Sequence, residues 1–263
     1  MNETADIAII GGTGVYDIEM LKGMRELNVE TPYGKPSDLI TVGEFNGVKI
    51  AFLPRHGKKH SIPPHKLNFR ANIWALKQLG VKRIIAAAAV GSLQENIKPG
   101  DFLIPDQFID RTHGRNSTFF DDNKVAHISV AEPFCPELSK IIFDAGKHKN
   151  YAMHENGTVV VVQGPRFSTK AESKYYKSMG GDIINMTVVP ECVLAREAEM
   201  CYACIATVTD YDTFSEKPVN VEDVIKILHE NSAKTKELVK EVLARIPEKR
   251  NCKCSEATKG AFV

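Results

Sequence analysis

Apolar positions divide the chain into two kinds of segment. Residues 7–10, 84–90, 158–162, 183–184 and 203–208 are short, predominantly apolar runs without helical spacing, ended by glycine or polar residues. Residues 68–79, 136–147, 191–200 and 221–246 instead space their apolar side chains at helical intervals. In the last of these, Val221, Val224, Ile225, Leu228, Leu238, Val239 and Val242 share one face. Local stop and start signals agree with this division. Gly80 follows the first helix as a natural C′ residue, and Thr169-x-x-Glu172 is a capping box that opens a further helix. Asn46-Gly47 joins residues 39–45 to residues 48–53 as a hairpin. Continuous apolar strands alternating with helices predict an α/β sandwich: a mixed, mostly parallel sheet flanked by helices on both faces. Without an internal repeat or a linker-like stretch, a single domain over residues 1–263 is expected, with a Cys-x-Cys tail from about residue 248.

Composition narrows the function. Thirty-four Lys and Arg against thirty-three Asp and Glu leave a net charge of +1, which argues against a nucleic-acid partner. The longest apolar run, residues 84–90, falls far short of the ~18 residues of a membrane span. Met1-Asn2-Glu3-Thr4 offers no basic region of a secretory signal, so a cytoplasmic location is expected. Six cysteines complicate that picture: Cys135, Cys192, Cys201, Cys204, Cys252 and Cys254. Reduced core thiols, a metal site and intracellular disulfides compete as readings. The apolar surroundings of Cys201-x-x-Cys204 favour core packing. Cys252-x-Cys254 lies among Lys, Arg, Asn and Ser, so exposure and redox activity or cross-linking are expected, with no histidine-rich neighbour to suggest zinc.

Five polar loops follow strands, where α/β sheets gather their chemistry. Gly11-Gly12-Thr13-Gly14 bares backbone N–H groups and a hydroxyl suited to an anion, or is a plain turn. As a dinucleotide fingerprint it fails, because Asp17 occupies the third glycine position. Arg55-His56-Gly57 supplies a guanidinium fork and an imidazole, against the alternative of a solvated basic turn. Gly164-Pro165-Arg166-Phe167-Ser168 offers an aromatic face that serves either as a core plug or as a platform for a flat ring. Asn185-Met186-Thr187 suits a sugar and an anion. Thr209-Asp210-Tyr211-Asp212 holds two carboxylates, which either cap and solvate or bind a heterocycle presenting an N–H edge and an amine.

Taken with Asn72-Ile73-Trp74-Ala75-Leu76, Asp106-Gln107-Phe108-Ile109-Asp110-Arg111-Thr112 and Ala131-Glu132-Pro133-Phe134-Cys135, these motifs form an ordered set from Ile9 to about Ile246. The set resembles the 5′-methylthioadenosine phosphorylases, within the trimeric purine nucleoside phosphorylases. That resemblance implies phosphorolysis of 5′-methylthioadenosine to adenine and 5-methylthioribose 1-phosphate. Inorganic phosphate would be the co-substrate, with no cofactor and no metal. It places Thr13, Arg55, His56, Ala88, Ala89 and Thr187 around phosphate, Phe167 against the purine, and Met186 under the ribose. Asp210 would meet the base at N7 as the catalytic acid, and Asp212 would accept from the 6-amino group. Ser168 and Val221 match specificity positions, and Val221, Val224 and Ile225 would line a methylthio pocket. His127 resembles a residue that reaches a neighbouring subunit's site, so a homotrimer or a dimer of trimers is expected.

Two departures stand out. Ala88-Ala89 replaces a Thr-Ala pair frequent in the family, removing a hydroxyl whose hydrogen bond to a charged group is worth ~1.5–3 kcal/mol. The Cys252-Lys253-Cys254 tail resembles that of hyperthermophilic archaeal members, which implies a disulfide of Cys135 with Cys201 or Cys204. Three alternatives carry discriminating features. A 6-oxopurine phosphorylase conflicts with an acceptor-only carboxylate at Asp212. An NAD-dependent oxidoreductase conflicts with the glycine spacing, and a redox or metal protein would depend on Cys252 and Cys254.

Overall fold

A computed structural model describes residues 3–12, 20–212 and 220–263. Thr13 and Gly14, of the loop read above as an anion site or a plain turn, lie outside the described residues. Eleven described strands form one sheet. In chain order they are β1 (Ile7–Gly11), β2 (Lys22–Leu27), β3 (Ile40–Phe45), β4 (Val48–Pro54), β5 (Arg83–Ser92), β6 (Phe102–Ile104), β7 (Gln107–Arg111), β8 (Met153–Glu155), β9 (Thr158–Val162), β10 (Ile183–Asn185) and β11 (Cys201–Asp210). The described helices are α1 (Phe69–Gln78), α2 (Pro136–His148), α3 (Lys170–Ser178), α4 (Val188–Glu197) and α5 (Val221–Arg245). None of them is long and apolar enough to cross a membrane.

The apolar runs are explained by burial on both faces. Alternate residues of β1, β4, β5 and β11 enter two separate cores. Ile10, Leu53, Ile84 and Tyr202 join α1 and α4 on one face. Ile9, Phe52, Ile85 and Ala203 join α2 and α5 on the other. A strand covered on both sides keeps no polar alternation, because either parity must leave water. The hairpin forms at Asn46 and Gly47, both at positive φ (49° and 83°), as a tight turn between antiparallel β3 and β4 requires. Both bonds of the Thr169–Glu172 capping box are present at the start of α3.

The differences from the sequence-based expectations are local. Strands β2, β6, β7 and β8 carry no periodic signal: β2 is almost wholly exposed, β7 is largely exposed, and β6 and β8 hold only three residues each, too few to show a period. Helix α4 begins at Val188 rather than residue 191, with a non-helical Val189 preceding cis-Pro190.

One irregularity of the sheet makes room for a site. β11 runs parallel to β5 along one edge, from the Cys201–Arg83 pair to the Asp210–Gly91 pair. The other edge of β5 is shared. β1 pairs with it only over Arg83 to Ala86, and β10 takes it up antiparallel at Gly91 and Ser92. No described strand pairs with residues 87–90 on that edge, so their backbone is open to side chains and ligands.

The cysteines depart most from expectation. All six are free thiols, so the implied disulfide is absent. Cys201 and Cys204, three apart on a strand, point to opposite faces and belong to different cores. A Cys135–Cys204 pairing is thereby excluded, since Cys135 sits with Cys201. Nor is the Cys-x-Cys tail solvated: Cys254 is buried and Cys252 half-buried, packed where α2 meets the start of β11.

Candidate active site

A cavity of about 650 Å³ opens at the unpaired edge of β5, where the carboxyl ends of β4, β10 and β11 meet. Of the residues singled out above, Arg55, His56, Ala88, Ala89, Phe167, Ser168, Met186, Thr187, Asp210, Asp212, Val221, Val224 and Ile225 all line it. His127 does not. It lies on an exposed segment whose backbone N–H donates to the Ala261 carbonyl at 2.8 Å.

Asp210 ends β11 beside a register shift between Val208 and Asp210 that turns the strand toward the cavity. One carboxylate oxygen, Oδ1, accepts the Asp212 backbone N–H at 2.8 Å; the other, Oδ2, lies 2.7 Å from the Thr209 hydroxyl oxygen. That hydroxyl is also 3.2 Å from the Val90 carbonyl. The chain therefore serves both protonation states. An ionised Asp210 accepts from Thr209, whereas a protonated one donates to Thr209 while Thr209 donates to Val90. Burial, above all, raises the Asp210 carboxyl above the ordinary carboxylate range, with the Asp212 charge adding to the rise and the two hydrogen bonds opposing it. Asp212 is buried, with φ at +40°. Gly91, paired across from Asp210, is a steric requirement, because a Cβ there would stand 2.9 Å from Asp210 Oδ1 and 2.9 Å from Ile184 Cγ2.

At the other end of the cavity Arg55 is not part of a solvated turn. Its side chain is only 2% exposed, and its Nε and one terminal nitrogen each donate at 2.9 Å to the two oxygens of fully buried Glu191. The other terminal nitrogen donates to the Ala87 carbonyl at 2.8 Å, on the unpaired edge of β5. Tyr202 donates its hydroxyl to the same Glu191 at 2.8 Å. Burial alone would pull the Arg55 guanidinium down, but the Glu191 carboxylate overrides it and holds the pKa above its ordinary value. Arg55 is thus no unpaired cation; it brings to the cavity the N–H donors that Glu191 and Ala87 leave over. His56 is corrected similarly. Burial, then the Arg55 charge, lower its pKa to about 4, so its imidazole is neutral near pH 7. Its Nδ1–H donates to the Ile62 carbonyl at 2.9 Å, leaving Nε2 as an acceptor toward the cavity.

Asn185 organises the next wall. Its Oδ1 accepts the backbone N–H groups of Thr187 at 2.7 Å and Val188 at 2.8 Å, while its Nδ2 donates to the Ala89 carbonyl at 3.1 Å. Arg115 ties this wall to the Phe167 loop, donating to the carbonyls of Met186 (2.9 Å), Val189 (2.6 Å) and Gln163 (2.9 Å). Ser168 Oγ is buried with no hydrogen-bond partner among the described residues. Glu191, Tyr202, Gly91 and Arg115 are the supporting residues to which the strand-end loops gave no pointer. A signal for one of them was present, since Glu191 is a lone charge between Val188-Val189-Pro190 and Cys192-Val193-Leu194.

A doubly covered sheet with a largely apolar cavity at its strand ends, carboxylates at one end and oriented hydrogen-bond donors at the other, defines an α/β enzyme acting on a small molecule. Residues 6–244 match the Phosphorylase superfamily, and the chain belongs to that family. An S-methyl-5′-thioadenosine phosphorylase of Nitrosopumilus maritimus is 55% identical over 99% of both chains. Among solved structures, a methylthioadenosine phosphorylase from an antarctic soil metagenomic library superposes with a TM-score of 0.94 at 46% identity, covering 100% of this chain and 93% of the other. The Schistosoma mansoni methylthioadenosine phosphorylase in complex with adenine gives 0.92 at 41% identity, covering 98% and 97%.

Proposed function

We propose that this chain cleaves 5′-methylthioadenosine with inorganic phosphate, releasing adenine and 5-methylthioribose 1-phosphate. The observation that carries the reading is one cavity with half-buried Asp210 and buried Asp212 at one end and oriented hydrogen-bond donors at the other. The names of the relatives agree with it.

A purine leaves slowly unless the electron pair it takes from the glycosidic bond is neutralised. Protonated Asp210 gives its proton to N7 as the bond from N9 to C1′ breaks, and a phosphate oxygen forms the new bond at C1′. The sugar passes through an oxocarbenium-like state that the phosphate charge stabilises. Asp212, an acceptor when ionised, suits the 6-amino group of adenine and opposes a 6-carbonyl. Phosphate is held by Thr187, the backbone of Ala88 and Ala89, Thr13 and the remaining N–H donors of Arg55. A neutral His56 accepting at Nε2 favours phosphate that carries a proton. Phe167 stacks on the base and Met186 packs under the ribose. Ser168 and the apolar trio Val221, Val224 and Ile225 take the 5′ substituent, the trio offering an apolar surface that matches a methylthio group. The active enzyme is a homo-oligomer, trimer or dimer of trimers, in which His127 reaches a neighbour's site. Exposed Val125, Val130, Phe262 and Val263 beside His127 support a contact surface there.

The direct test measures phosphate-dependent base release from methylthioadenosine, adenosine, inosine and methylthioinosine in parallel. Methylthioadenosine is expected to give the highest kcat/KM and the two 6-oxopurine nucleosides the lowest. Equal rates with inosine would move the reading to a 6-oxopurine phosphorylase, and inactivity on all four would remove the assignment.

Gly91→Ala tests the site's construction. The added methyl must displace the Asp210 carboxyl by a few tenths of an ångström, so a loss on the order of tenfold in kcat/KM is expected. Overpacking should cost no more than about 1–3 kcal/mol, leaving the protein folded at assay temperature. Unchanged kinetics in a folded Gly91→Ala enzyme would mean that the placement of Asp210 is not critical.

A further inference from the structure

We propose that Cys135, Cys201, Cys252 and Cys254 form a structural tetrathiolate zinc site that staples the C-terminal tail to the sheet. The site is separate from the cavity and does not rest on the reading of its chemistry.

The four sulfurs come from three distant parts of the chain: the residue before α2, the first residue of β11 and the tail. All lie within 4.8 Å of one another, and Cys201 Sγ and Cys252 Sγ are 3.3 Å apart. A tetrahedral zinc with Zn–S bonds of ~2.3 Å requires sulfur–sulfur edges of about 3.8 Å, inside that range. Cys252 and Cys254 flank Lys253, and the 3-10 turn at Lys253–Glu256 begins directly after the first of them. No histidine or carboxylate belongs to the group, so its donor set is purely soft and selects zinc over magnesium or calcium.

The surroundings suit a bound thiolate cluster. Cys135 sits at the N-terminus of α2, where its Sγ accepts the Leu138 N–H at 3.5 Å and meets the positive end of the helix. The Arg250 guanidinium, two residues before Cys252, is anchored by donation to the Glu199 carbonyl at 2.8 Å. Binding replaces four S–H protons, which pass to solvent, so zinc with four thiolates carries a charge of −2 that Arg250 and the helix offset. The staple has a clear mechanical consequence. Beyond it the tail pairs with the segment carrying His127: Phe262 bridges to Ala126, and the Val263 N–H donates to the Val125 carbonyl at 3.2 Å.

The test is zinc analysis of the full-length protein purified anaerobically from zinc-supplemented cells without chelator. About one zinc per chain is expected, released by a mercurial thiol reagent, together with the intense visible absorption of a tetrahedral cobalt thiolate after exchange with Co²⁺. Cys254→Ser is expected to lower bound zinc at least about tenfold and to raise amide hydrogen exchange in residues 125–127. If that variant does not fold, the cobalt spectrum of the unaltered protein decides. The proposal is overturned by cobalt-treated protein without thiolate bands, by zinc-free protein with disulfide-linked peptides or four freely alkylated thiols, or by full zinc retention in Cys254→Ser.

Discussion

Asp210→Ala is expected to lower kcat for methylthioadenosine phosphorolysis by at least ~10²-fold, the scale of general acid catalysis, with a much smaller change in KM for phosphate. The asymmetry follows from position. Asp210 stands at the base end of the cavity, whereas the donors proposed for phosphate lie around Arg55 and Thr187. Asp210→Asn separates the two services of the carboxyl: it keeps a hydrogen-bond donor for N7 but transfers no proton, so its rate should fall between alanine and aspartate. The pH profile adds an independent check. Burial raises the Asp210 pKa, and the acid must be protonated to act, so kcat/KM should fall as pH rises through that raised value. Stability carries the same sign. A native carboxyl with a raised pKa holds its proton when the unfolded one has lost it, so its contribution is lost as pH climbs from the ordinary carboxylate range toward the native pKa. Asp210→Ala should flatten both dependences. Near-normal turnover in that variant would remove Asp210 from the mechanism.

Glu191→Ala should destabilise the protein by about 3–5 kcal/mol, because it leaves the Arg55 guanidinium buried without its counter-charge. For a domain of this size the corresponding fall in Tm is on the order of 6–20 °C. The pair is bidentate and both side chains are nearly inaccessible, so water cannot replace the lost carboxylate. Tyr202, which donates to the same carboxylate, loses its partner as well. A double variant, Arg55→Met with Glu191→Leu, should recover much of the stability by removing both charges, although it surrenders the donors on the cavity wall. Thermal unfolding of the single and double variants measures the coupling directly. A Glu191→Ala protein within about 1 kcal/mol of the parent would show that solvent reaches Arg55 and that the pair is not closed.

Much of the architecture was legible along the chain because it is written in local chemistry. Apolar runs such as residues 84–90 have no polar parity since both faces of the strand are covered, and Asn46-Gly47 and Thr169-x-x-Glu172 act through bonds within a few residues. The loops carrying Arg55, Met186, Asp210 and Asp212 could be found because each directly follows a strand. Short or exposed strands such as β6 and β2 could not, for want of a period to detect.

What tertiary structure alone decided is how distant groups set each other's charge. Arg55 and Glu191 are separated by 136 positions, and only packing turns a basic loop residue into half of a neutral buried pair. His56 becomes an acceptor because Ile62 takes its other ring nitrogen and Arg55 stands beside it. The cysteines make the same point. Cys201-x-x-Cys204 looks like a unit in sequence, yet strand pleating sends its members into opposite cores, while Cys201 meets Cys135, Cys252 and Cys254 from far along the chain. The sequence by itself determined which segments become strands and helices and which residue types stand at the strand ends, because propensity and burial pattern act locally. Protonation, ion pairing and sulfur clustering depend on distances of 3–5 Å between remote segments, and only the packed sheet sets those distances.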